Sequence, residues 1–331
     1  PFECVECSAE VPEKTGAGTC SVSPGSSDEL LVRGTILGPD KVYRAGGVLV
    51  DRTGDPGQIT CSGCDCASQS TSGDPTVVAC PGAVVSPGLI NPHDHLGWAT
   101  APPQSFDDTR YNHRNEWRTG ARGKPAIDRP SGTYSPEAYL YGELRQLVSG
   151  TTSIAGSASG EDVLGLLRNL DDPRGTEGVE AGVNYSTFPL GDTGGELRES
   201  GCDYRGSAGP SALDSEIYLP HIAEGIGKAA HNEFRCLSGE GSGSTDLVHG
   251  HTSIVHGVGL KAADIRTMAR EGSSLVWSPR SNLSLYGMTA DVASMSEIGV
   301  NIALGTDWPI SGSANMLREL ACADQFNQQR L

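Results

Sequence analysis

The sequence predicts an α/β protein whose main domain is built on a parallel sheet, either closed into a barrel or open. First, strand-like and helix-like segments alternate from about residue 90 onwards, as in βαβ units. Second, several apolar runs end in a histidine or an aspartate, and parallel barrels build their active sites at the carboxyl ends of the strands. Third, the 331 residues accommodate an α/β barrel of about 250 residues with chain left over.

The amino-terminal part of the chain has a different pattern. Residues 1–28 are rich in Cys, Gly, Ser and Pro without sustained periodicity, which predicts an irregular arm held by its cysteines. Over residues 29–86, β-branched runs are separated by turn residues, as in ELLVRGTILG, VYRAGGVLVD, GQITCSG and TVVACPGAVVSPG. These runs predict the strands of a small β domain.

Residues 87–331 form the predicted second domain. The segment SPEAYLYGELRQLVSG begins with a serine suited to a helix N-cap and ends with a glycine, so it predicts a helix that leads into the strand TTSIAGS. KAADIRTMAREG followed by SSLVWSPRSN, and TADVASMSEIG followed by VNIALGTDW, each predict a helix, a terminal glycine and a strand. The stretch before EIYLPHIAE is short and glycine-rich, so the fourth β/α unit is expected to be incomplete.

Composition excludes two classes of partner. The formal charge of −17 opposes binding to a phosphate backbone, so nucleic acid is not an expected partner. No stretch approaches the roughly 18 apolar residues of a membrane span. A small-molecule substrate is the remaining expectation for a chain with acid/base and metal-capable side chains.

The ten cysteines are unevenly distributed. Cys61, Cys64 and Cys66 spell C-x-x-C-x-C, which leaves two interpretations, a zinc cluster or disulfides formed in an oxidising compartment. Disulfides are favoured because a structural zinc site usually has two regularly spaced ligand pairs. The chain also begins at Pro1 rather than methionine, so a leader is expected to have been removed, and a secreted or periplasmic protein is predicted. Seven cysteines lie in the first 80 residues: Cys4, Cys7, Cys20, Cys61, Cys64, Cys66 and Cys80.

Four apolar runs deliver metal-capable side chains, in GLINPHDH, EIYLPHIAE, SIVHG and NIALGTD. His93 and His95 are two residues apart on an extended segment, so they project to the same side. His221 and Asp307 add a third nitrogen and an oxygen, a set that suits Zn²⁺, or alternatively Fe²⁺, with one position left for water. We therefore predict one divalent metal ion held by His93, His95, His221 and Asp307.

Acid/base groups accompany these ligands. Glu224 lies three residues after His221, where it can act as a proton shuttle between the attacking water and the leaving group. His256 can polarise the substrate, and Asp307 can hydrogen-bond the water. Glu224, His256 and Asp307 are the predicted catalytic residues.

The motifs PGLINPHDHL, HIAE, IVHG, SPRSNLSLYG and LGTDWP together resemble those of the amidohydrolase superfamily. The resemblance implies a (β/α)₈ TIM-like barrel with a small β-sandwich domain. It also implies metal ligands at His93, His95, His221 and Asp307 and a catalytic role for His256. The spacing from His221 to Glu224 is similar to that of the branch with cytosine deaminases and triazine hydrolases. That branch implies one metal ion, zinc by preference, and hydrolysis of a non-peptide C–N bond by a metal-bound hydroxide.

Two alternatives stay open. One is a dinuclear amidase or dipeptidase-like hydrolase, in which a lysine of the fourth strand would bridge two metals. The chain has no lysine between Lys124 and Lys228, although Glu177 or Glu180 could bridge instead. The other is a non-catalytic metal-binding barrel, which the presence of Glu224 disfavours.

Further residues are expected to have structural or substrate-binding roles. Asn282 is expected to fix its loop, and the second H-x-H, His249 and His251, precedes its strand and is interpreted as structural. The three later cysteines are expected to be buried thiols or further disulfides: Cys202, Cys236 and Cys322. Four residues near strand ends are candidates for substrate contacts: Trp98, Trp277, Arg280 and Trp308.

The chain ends 24 residues after Asp307, which is room for one helix, ANMLRELACADQFNQQR. The resemblance implies further strands that complete the small β domain. We therefore expect the chain to be a fragment, or a second polypeptide or a homo-oligomer to supply them, and the strands of residues 29–86 to have an unpaired edge.

Overall fold

The structure is a computed structural model. It divides into two compact units, Pro1–Gly88 and Leu89–Leu331. The residues it describes are 3–8, 10–13, 19–54, 57–105, 109–129, 135–156, 165–172 and 182–330.

The first unit is a mixed β-sheet of six strands. Its spatial order is β1-β4-β3-β6-β2, and β5 pairs with β4 beside β1. β1 with β4 and β3 with β6 are parallel, and the other pairs are antiparallel. The strands are β1 (Glu3–Glu6), β2 (Ser21–Ser23), β3 (Glu29–Leu37), β4 (Lys41–Asp51), β5 (Gln58–Gly63) and β6 (Thr76–Val85). The four strands predicted over residues 29–86 are confirmed. Among the described residues, the sheet ends at β1 and β5 on one side and at β2 on the other.

The interpretation of residues 1–28 as an irregular arm is wrong, because β1 and β2 lie within it. Both are edge strands with largely exposed side chains, so they lack the alternation that marks a half-buried strand. β1 is further held by the ion pair between Glu3 and Lys41, whose Oε2 and Nζ are 3.1 Å apart.

Disulfides rather than a zinc cluster account for six of the seven cysteines of this unit, and Cys4 is free. Three bonds join Cys7 to Cys64, Cys20 to Cys80 and Cys61 to Cys66. The predicted covalent attachment of the amino-terminal arm is therefore confirmed, since two of these bonds tie it to the sheet. The apolar core beneath is small: Leu31, Leu49 and the Cys61–Cys66 disulfide, with Val77 against it.

The second unit alternates strands and helices, which confirms the α/β class. Five strands form one parallel sheet in the order β10-β11-β12-β13-β14, and three form another in the order β7-β8-β9. These strands are β7 (Leu89–Asn91), β8 (Thr151–Ile154), β9 (Arg168–Asn169), β10 (Val183–Ser186), β11 (Ile217–Ile222), β12 (Ser253–His256), β13 (Ser274–Trp277) and β14 (Ile302–Leu304). Pairings among the described residues give two parallel sheets, so closure into a barrel stays a prediction.

Seven helices accompany these sheets in the described part of the chain. They are α1 (Arg114–Thr119), α2 (Pro136–Leu147), α3 (Lys228–Leu237), α4 (Ala262–Glu271), α5 (Pro279–Tyr286), α6 (Val292–Glu297) and α7 (Met316–Arg330). The predicted cap of α2 is confirmed, since the Ser135 hydroxyl accepts a hydrogen bond from the Ala138 N–H at 3.3 Å. The predicted strand SSLVWSPRSN is shorter than expected: it ends at Trp277, because Pro279 begins α5.

The fourth β/α unit lacks an α-helix, as the sequence predicts. Residues 187–216 between β10 and β11 contain only two short 3₁₀ turns, Asp192–Gly194 and Pro210–Leu213. A disulfide from Cys202 ties this segment to Cys236 on α3. The segment has no packed helix, and it is held by this disulfide together with side-chain contacts such as that of Arg114 with Asp192.

Strand alternation separates two apolar layers in the larger sheet. Val276 packs with Leu219 and Val255 on one face, whereas Leu275 and Trp277 pack into the larger cluster formed with the helices. The sheet is therefore covered on both faces, as parallel sheets usually are. None of the helices in the described residues has the length and apolar character needed to cross a membrane.

Candidate functional site

Histidines and a carboxylate from separate strand ends converge at one point. The Nε2 atoms of His93 and His221 are 3.2 Å apart. Asp307 Oδ1 is 3.3 Å from Nε2 of both His93 and His95. His93, His221 and Asp307 are buried, while the side chain of His95 is 21% exposed. The structure therefore places the four predicted metal ligands around His93, but their donor atoms fall into two groups, His93–His95–Asp307 and His93–His221–His256, rather than one.

Backbone geometry brings the first and last strands of this unit together at the site. The Asp307 N–H donates to the His93 carbonyl at 2.9 Å. A Cβ on Gly305 would lie 2.5 Å from the His93 Cβ, so only glycine allows this approach. His256 and Asp307 have φ values of 74° and 57°, a region that costs about 1–3 kcal/mol for non-glycine residues and is found mainly at functional sites.

Three of the four converging side chains are also held on their far sides. The outward atoms of His93, His221 and Asp307 are engaged, which leaves their remaining donor atoms directed at the common point. Such outer contacts fix the orientation of metal ligands. They are His93 Nδ1 to Ser278 Oγ at 2.8 Å, His221 Nδ1 to the Ser186 carbonyl at 3.2 Å, and Ser281 Oγ donating to Asp307 Oδ2 at 2.6 Å.

The protonation states of His93, His221 and Asp307 suit a cation, whereas His95 would have to give up its proton to bind one. Burial lowers the pKa of His93 to about 4, and burial together with the neighbouring histidines lowers the pKa of His221. Burial alone would raise the pKa of Asp307, but His93 and His95 outweigh it and hold that pKa well below its usual range. Burial alone would lower the pKa of His95, but the contact with Asp307 has the larger effect, so the net shift of this pKa is upward. Neutral imidazoles and an ionised carboxylate are the forms that bind metals.

Donor spacing agrees with this chemistry. In tetrahedral Zn²⁺ sites with bonds of about 2.0–2.1 Å, neighbouring ligand atoms lie about 3.3 Å apart. The pairs His93–His221, His93–Asp307 and His95–Asp307 are separated by 3.2, 3.3 and 3.3 Å. A second group of donors, His93, His221 and His256, also lies within 4.8 Å of one another. The residues present therefore fit a divalent cation.

Glu224 and His256, the predicted acid/base residues, lie beside the metal-capable cluster. Glu224 Oε2 is 3.6 Å from His256 Nε2, and its Oε1 accepts a hydrogen bond from the Tyr286 hydroxyl at 2.7 Å. His256 Nδ1 is 3.1 Å from Asn282 Oδ1. Asn282, which lies on α5 rather than in the expected loop, therefore orients a candidate catalytic residue.

Tyr286 is a functional-site residue that sequence reasoning missed. Its hydroxyl accepts from Trp117 Nε1 at 2.8 Å while donating to Glu224. Burial and the Glu224 charge raise the pKa of Tyr286 well above its usual value, so it stays a donor. Tyr286 lies within the motif SPRSNLSLYG, but the motif does not indicate this role, because the role depends on a contact across 62 residues.

A cavity of about 280 Å³ opens beside the cluster, and Glu224, His256 and Asp307 line it. Trp98 and Trp308, two of the four predicted substrate contacts, also line it. Its walls also include Phe188 and three arginines, none of which was predicted from the sequence as a substrate contact. The arginines are Arg114, Arg118 and Arg129.

Trp277 and Arg280 are wrong as predicted substrate contacts, since neither lines this cavity. Trp277 follows Val276 in β13 and therefore points to the opposite face, where its ring packs 5.6 Å from Phe326. Arg280 lies on α5, and its Nε donates to Ser313 Oγ at 2.7 Å. Sequence proximity to a strand end does not specify the side to which a residue points.

Several other residues lie apart from the cluster. His251 contacts the Glu216 carbonyl at 2.8 Å and His249 lies 3.9 Å from Asp246, in agreement with the structural interpretation of the second H-x-H. Asp94 accepts from the His95 N–H and from Gln146. Glu177 and Glu180 lie outside the described residues.

No protein-family model matches the chain, but individual relatives do. It is 27% identical to the 5-methylthioadenosine/S-adenosylhomocysteine deaminase of Halobacterium salinarum over 87% of this chain and 70% of the relative. It is 26% identical to the enzyme of the same name from Thermococcus kodakarensis, over 75% of this chain and 64% of the relative. The 5′-deoxyadenosine deaminase of Methanothermobacter thermautotrophicus is 24% identical over 77% of this chain and 65% of the relative. The chain thus spans somewhat less than two thirds of two of these relatives.

Solved structures share the fold at low identity. Helicobacter pylori aminofutalosine deaminase has a TM-score of 0.56 at 17% identity, with 89% of this chain and 81% of that chain covered. Guanine deaminase from C. acetobutylicum has a TM-score of 0.54 at 14% identity, covering 91% and 79%. A zinc-bound adenosine deaminase from Xanthomonas campestris has a TM-score of 0.52 at 16% identity, covering 92% and 75%.

Proposed function

We infer that this chain, a member of the amidohydrolase superfamily, is a metal-dependent hydrolase that cleaves a non-peptide carbon–nitrogen bond. The observation that carries the inference is the position of Glu224, beside four converging metal-capable side chains and on the wall of a cavity. Relatives named as deaminases support an aminohydrolase, which releases ammonia from an aminated heterocycle. We propose that the second unit forms a (β/α)₈ barrel and that the first belongs to a small β-sandwich.

His93, His95, His221 and Asp307 are the residues that would hold the cation, with Zn²⁺ preferred over Fe²⁺. When bound, a divalent cation supplies Lewis acidity, lowering the pKa of a coordinated water towards about 7 and polarising the scissile group. Asp307 keeps its carboxylate ionised through its contacts with His93 and His95. Ser281 fixes the other carboxylate oxygen, Oδ2, at 2.6 Å.

Glu224 would accept a proton from the attacking water and deliver it to the leaving nitrogen. Tyr286 anchors its Oε1, so Oε2 is the oxygen free to exchange the proton beside His256. His256 would donate a hydrogen bond to the oxygen that develops negative charge. The burial of these groups keeps bulk water from competing for the same protons.

A dinuclear hydrolase is the second candidate. It is favoured by the overlap of two donor groups, His93–His95–Asp307 and His93–His221–His256, which share one residue. In that case His256 would be a ligand rather than a hydrogen-bond donor. A non-catalytic metal-binding protein is the third candidate, and it leaves the position of Glu224 without a purpose.

The test is ammonia release from a panel of aminated purines, pyrimidines and triazines, with primary amides as a second panel. The enzyme should be loaded with Zn²⁺ or Fe²⁺ and its metal content measured by mass spectrometry. One ion per chain and ammonia from a heterocycle would support the proposal. Two ions per chain would favour the dinuclear candidate, and metal without turnover on either panel would favour the binding protein.

We propose an oxidising location for the protein, secreted or periplasmic, because eight of its ten cysteines form four disulfides. Thiol titration of the denatured, unreduced protein should find only the two free cysteines, Cys4 and Cys322. Completion of the small sheet by a second polypeptide or a second copy also stays a proposal, and the mass of the protein in solution tests the second copy.

A further inference from the structure

Two arginines on the cavity wall have no carboxylate within ion-pair distance in the described part of the chain, although the charges of Asp192 and Glu224 act on one of them, Arg118, from farther away. Arg118 and Arg129 both line the cavity. Within the described residues, neither guanidinium has a carboxylate oxygen within 4.0 Å; their hydrogen bonds go to neutral oxygens. These are Arg118 Nη1 to Asn115 Oδ1, Arg118 Nη2 to the Thr193 carbonyl, and Arg129 Nη2 to the Arg118 carbonyl.

Arg114, the third arginine of the cavity, has its charge neutralised by neighbouring carboxylates. Arg114 is buried and pairs with Asp192 at 2.7 Å and with Glu233 at 3.5 Å. Outside the cavity, the exposed Arg122 pairs with Glu199 at 2.6 Å. Arg114 and Arg122 both lie within four residues of Arg118. The chain has 41 acidic residues and only 24 basic ones, so the lack of an ion-pair partner for Arg118 among the described residues is not due to a shortage of carboxylates.

The carboxylates of the cavity are already engaged elsewhere. Glu224 is bound by Tyr286, and Asp307 by Ser281 and two histidines. They cannot turn towards Arg118 without giving up contacts of the catalytic cluster. The positive charge at this wall therefore remains available to a ligand.

Arg118 is held in a defined orientation. Its guanidinium carbon lies 4.2 Å from the centroid of the Phe188 ring, which also lines the cavity. Burial and the charge of Arg114 lower the pKa of Arg118 to about 10. A partly desolvated cation next to another cation gains more from an incoming anion than an exposed one does.

Aromatic side chains form the other part of the cavity lining. Trp98 and Trp117 each contact Trp308, with ring centroids 5.8 and 5.0 Å apart. All three tryptophans line the cavity. Flat aromatic walls beside a cation that has no ion-pair partner among the described residues suit a planar ring that carries a negative group.

We propose that Arg118 and Arg129 bind a carboxylate carried by the substrate, so that the preferred substrates are aminated heteroaromatic rings bearing an acidic substituent. This proposal rests on the proposed function, since it names the substrate class of the same site. A carboxylate matches the planar fork of a guanidinium. It is also smaller than a phosphate, which suits a cavity of about 280 Å³.

The test compares adenosine, adenosine-5′-carboxylic acid and adenosine 5′-monophosphate, together with cytosine and 5-carboxycytosine. Ammonia release gives kcat and KM for each compound, and titration calorimetry gives the Kd of each. In the wild-type enzyme, at least one acid should have a kcat/KM about 10-fold above that of its neutral counterpart, chiefly through KM. Arg118→Gln and Arg129→Gln should each reduce that preference about 10-fold, and Arg118→Lys should restore part of it.

Arg122→Gln is the matched control, because it removes an arginine of the same segment that already has carboxylate partners; it should leave the preference unchanged. Equal kcat/KM and equal Kd for acids and neutral compounds would overturn the proposal. A preference for the monophosphate over the carboxylic acid would overturn the choice of carboxylate. If no compound is turned over, the proposed function fails, and calorimetry still decides this inference by whether the acids bind more tightly and lose that advantage in Arg118→Gln.

Discussion

The two units of this protein are stabilised in different ways. The first has three disulfides around a core of Leu31, Leu49 and the half-cystine Cys66. The second has one disulfide and a large apolar cluster that includes Tyr218, Phe234 and Met268. It also buries Arg114 and the carboxylates around it. Small domains bury too little apolar surface to be stable alone and need cross-links.

The difference shows where a buried charged site can exist. Burying a charge costs several kcal/mol unless it is paired and hydrogen-bonded, and only a unit with a large apolar core can carry that cost. The second unit holds several buried charges in a network of named partners. The first keeps its ion pairs exposed, as between Arg44 and Glu6, and its one buried carboxylate among the described residues, Glu29, is hydrogen-bonded by Ser70 and Thr71 rather than paired with a cation. Function in the second unit and cross-linking in the first should therefore respond to different substitutions.

The largest expected effect is on catalysis in the second unit alone. Glu224→Gln keeps the size of the side chain but removes its proton acceptor, so kcat should fall about 10³-fold, equivalent to about 4 kcal/mol. Metal content and the unfolding temperature should stay as in the wild type. Glu271→Gln, on the exposed end of α4, is the control. Unchanged turnover in Glu224→Gln would remove its proposed role.

The next effect concerns the first unit. Replacing Cys20 and Cys80 by serine opens a loop of 60 residues, which should reduce the free energy of unfolding of this unit by about 3–4 kcal/mol. Limited proteolysis with mass spectrometry should show cleavage within residues 1–88, while ammonia release continues. The control is Cys4→Ser, at an exposed free cysteine, which the protease should cleave no faster than the wild type. If the double variant resists proteolysis equally, the disulfides are not what stabilises this unit.

A smaller effect tests the cost of buried charge in the second unit. Burial raises the pKa of Glu319 to about 7, above its unfolded value of about 4.5, so its contribution to stability is present at low pH and is lost as the pH rises through about 7. Glu319→Gln should remove this dependence and stabilise the protein at pH 8 by about 3 kcal/mol. Thermal unfolding at pH 5 and pH 8 measures it, with the exposed Glu297→Gln as control. A variant that keeps the wild-type pH dependence would contradict the assignment.

The smallest expected effect is on kcat, through a residue that positions Glu224 without taking part in the reaction itself. Tyr286→Phe removes the hydroxyl that anchors Glu224 Oε1, so kcat should fall about 10-fold, or about 1.4 kcal/mol, with little change in KM. Steady-state kinetics on the best substrate of the panel measures this split. Tyr141→Phe, at an exposed position on α2, is the control. A change confined to KM would assign Tyr286 to substrate binding instead.

The sequence could predict what depends on local pattern and on strand ends. The β-branched runs of β3 to β6, the capped helix α2 and the convergence of His93, His95, His221 and Asp307 all follow from such patterns. β1 and β2 could not be predicted, because exposed edge strands have no hydrophobic alternation. Tyr286 and Arg118 could not be predicted either, since their partners are set by packing between segments distant in the chain.

The segment between β10 and β11 is a loop with 3₁₀ turns where an α-helix would otherwise lie, and it carries Thr187 and Phe188 to the cavity wall. Loops accept substitutions and changes of length more readily than packed helices do. The metal-capable residues, in contrast, lie on or just after strands and cannot shift without disturbing the sheet. In evolutionary terms, this arrangement separates a part of the site that can diverge from a part that cannot. Related sequences are therefore expected to change their substrates through residues 187–216 while keeping the same chemistry.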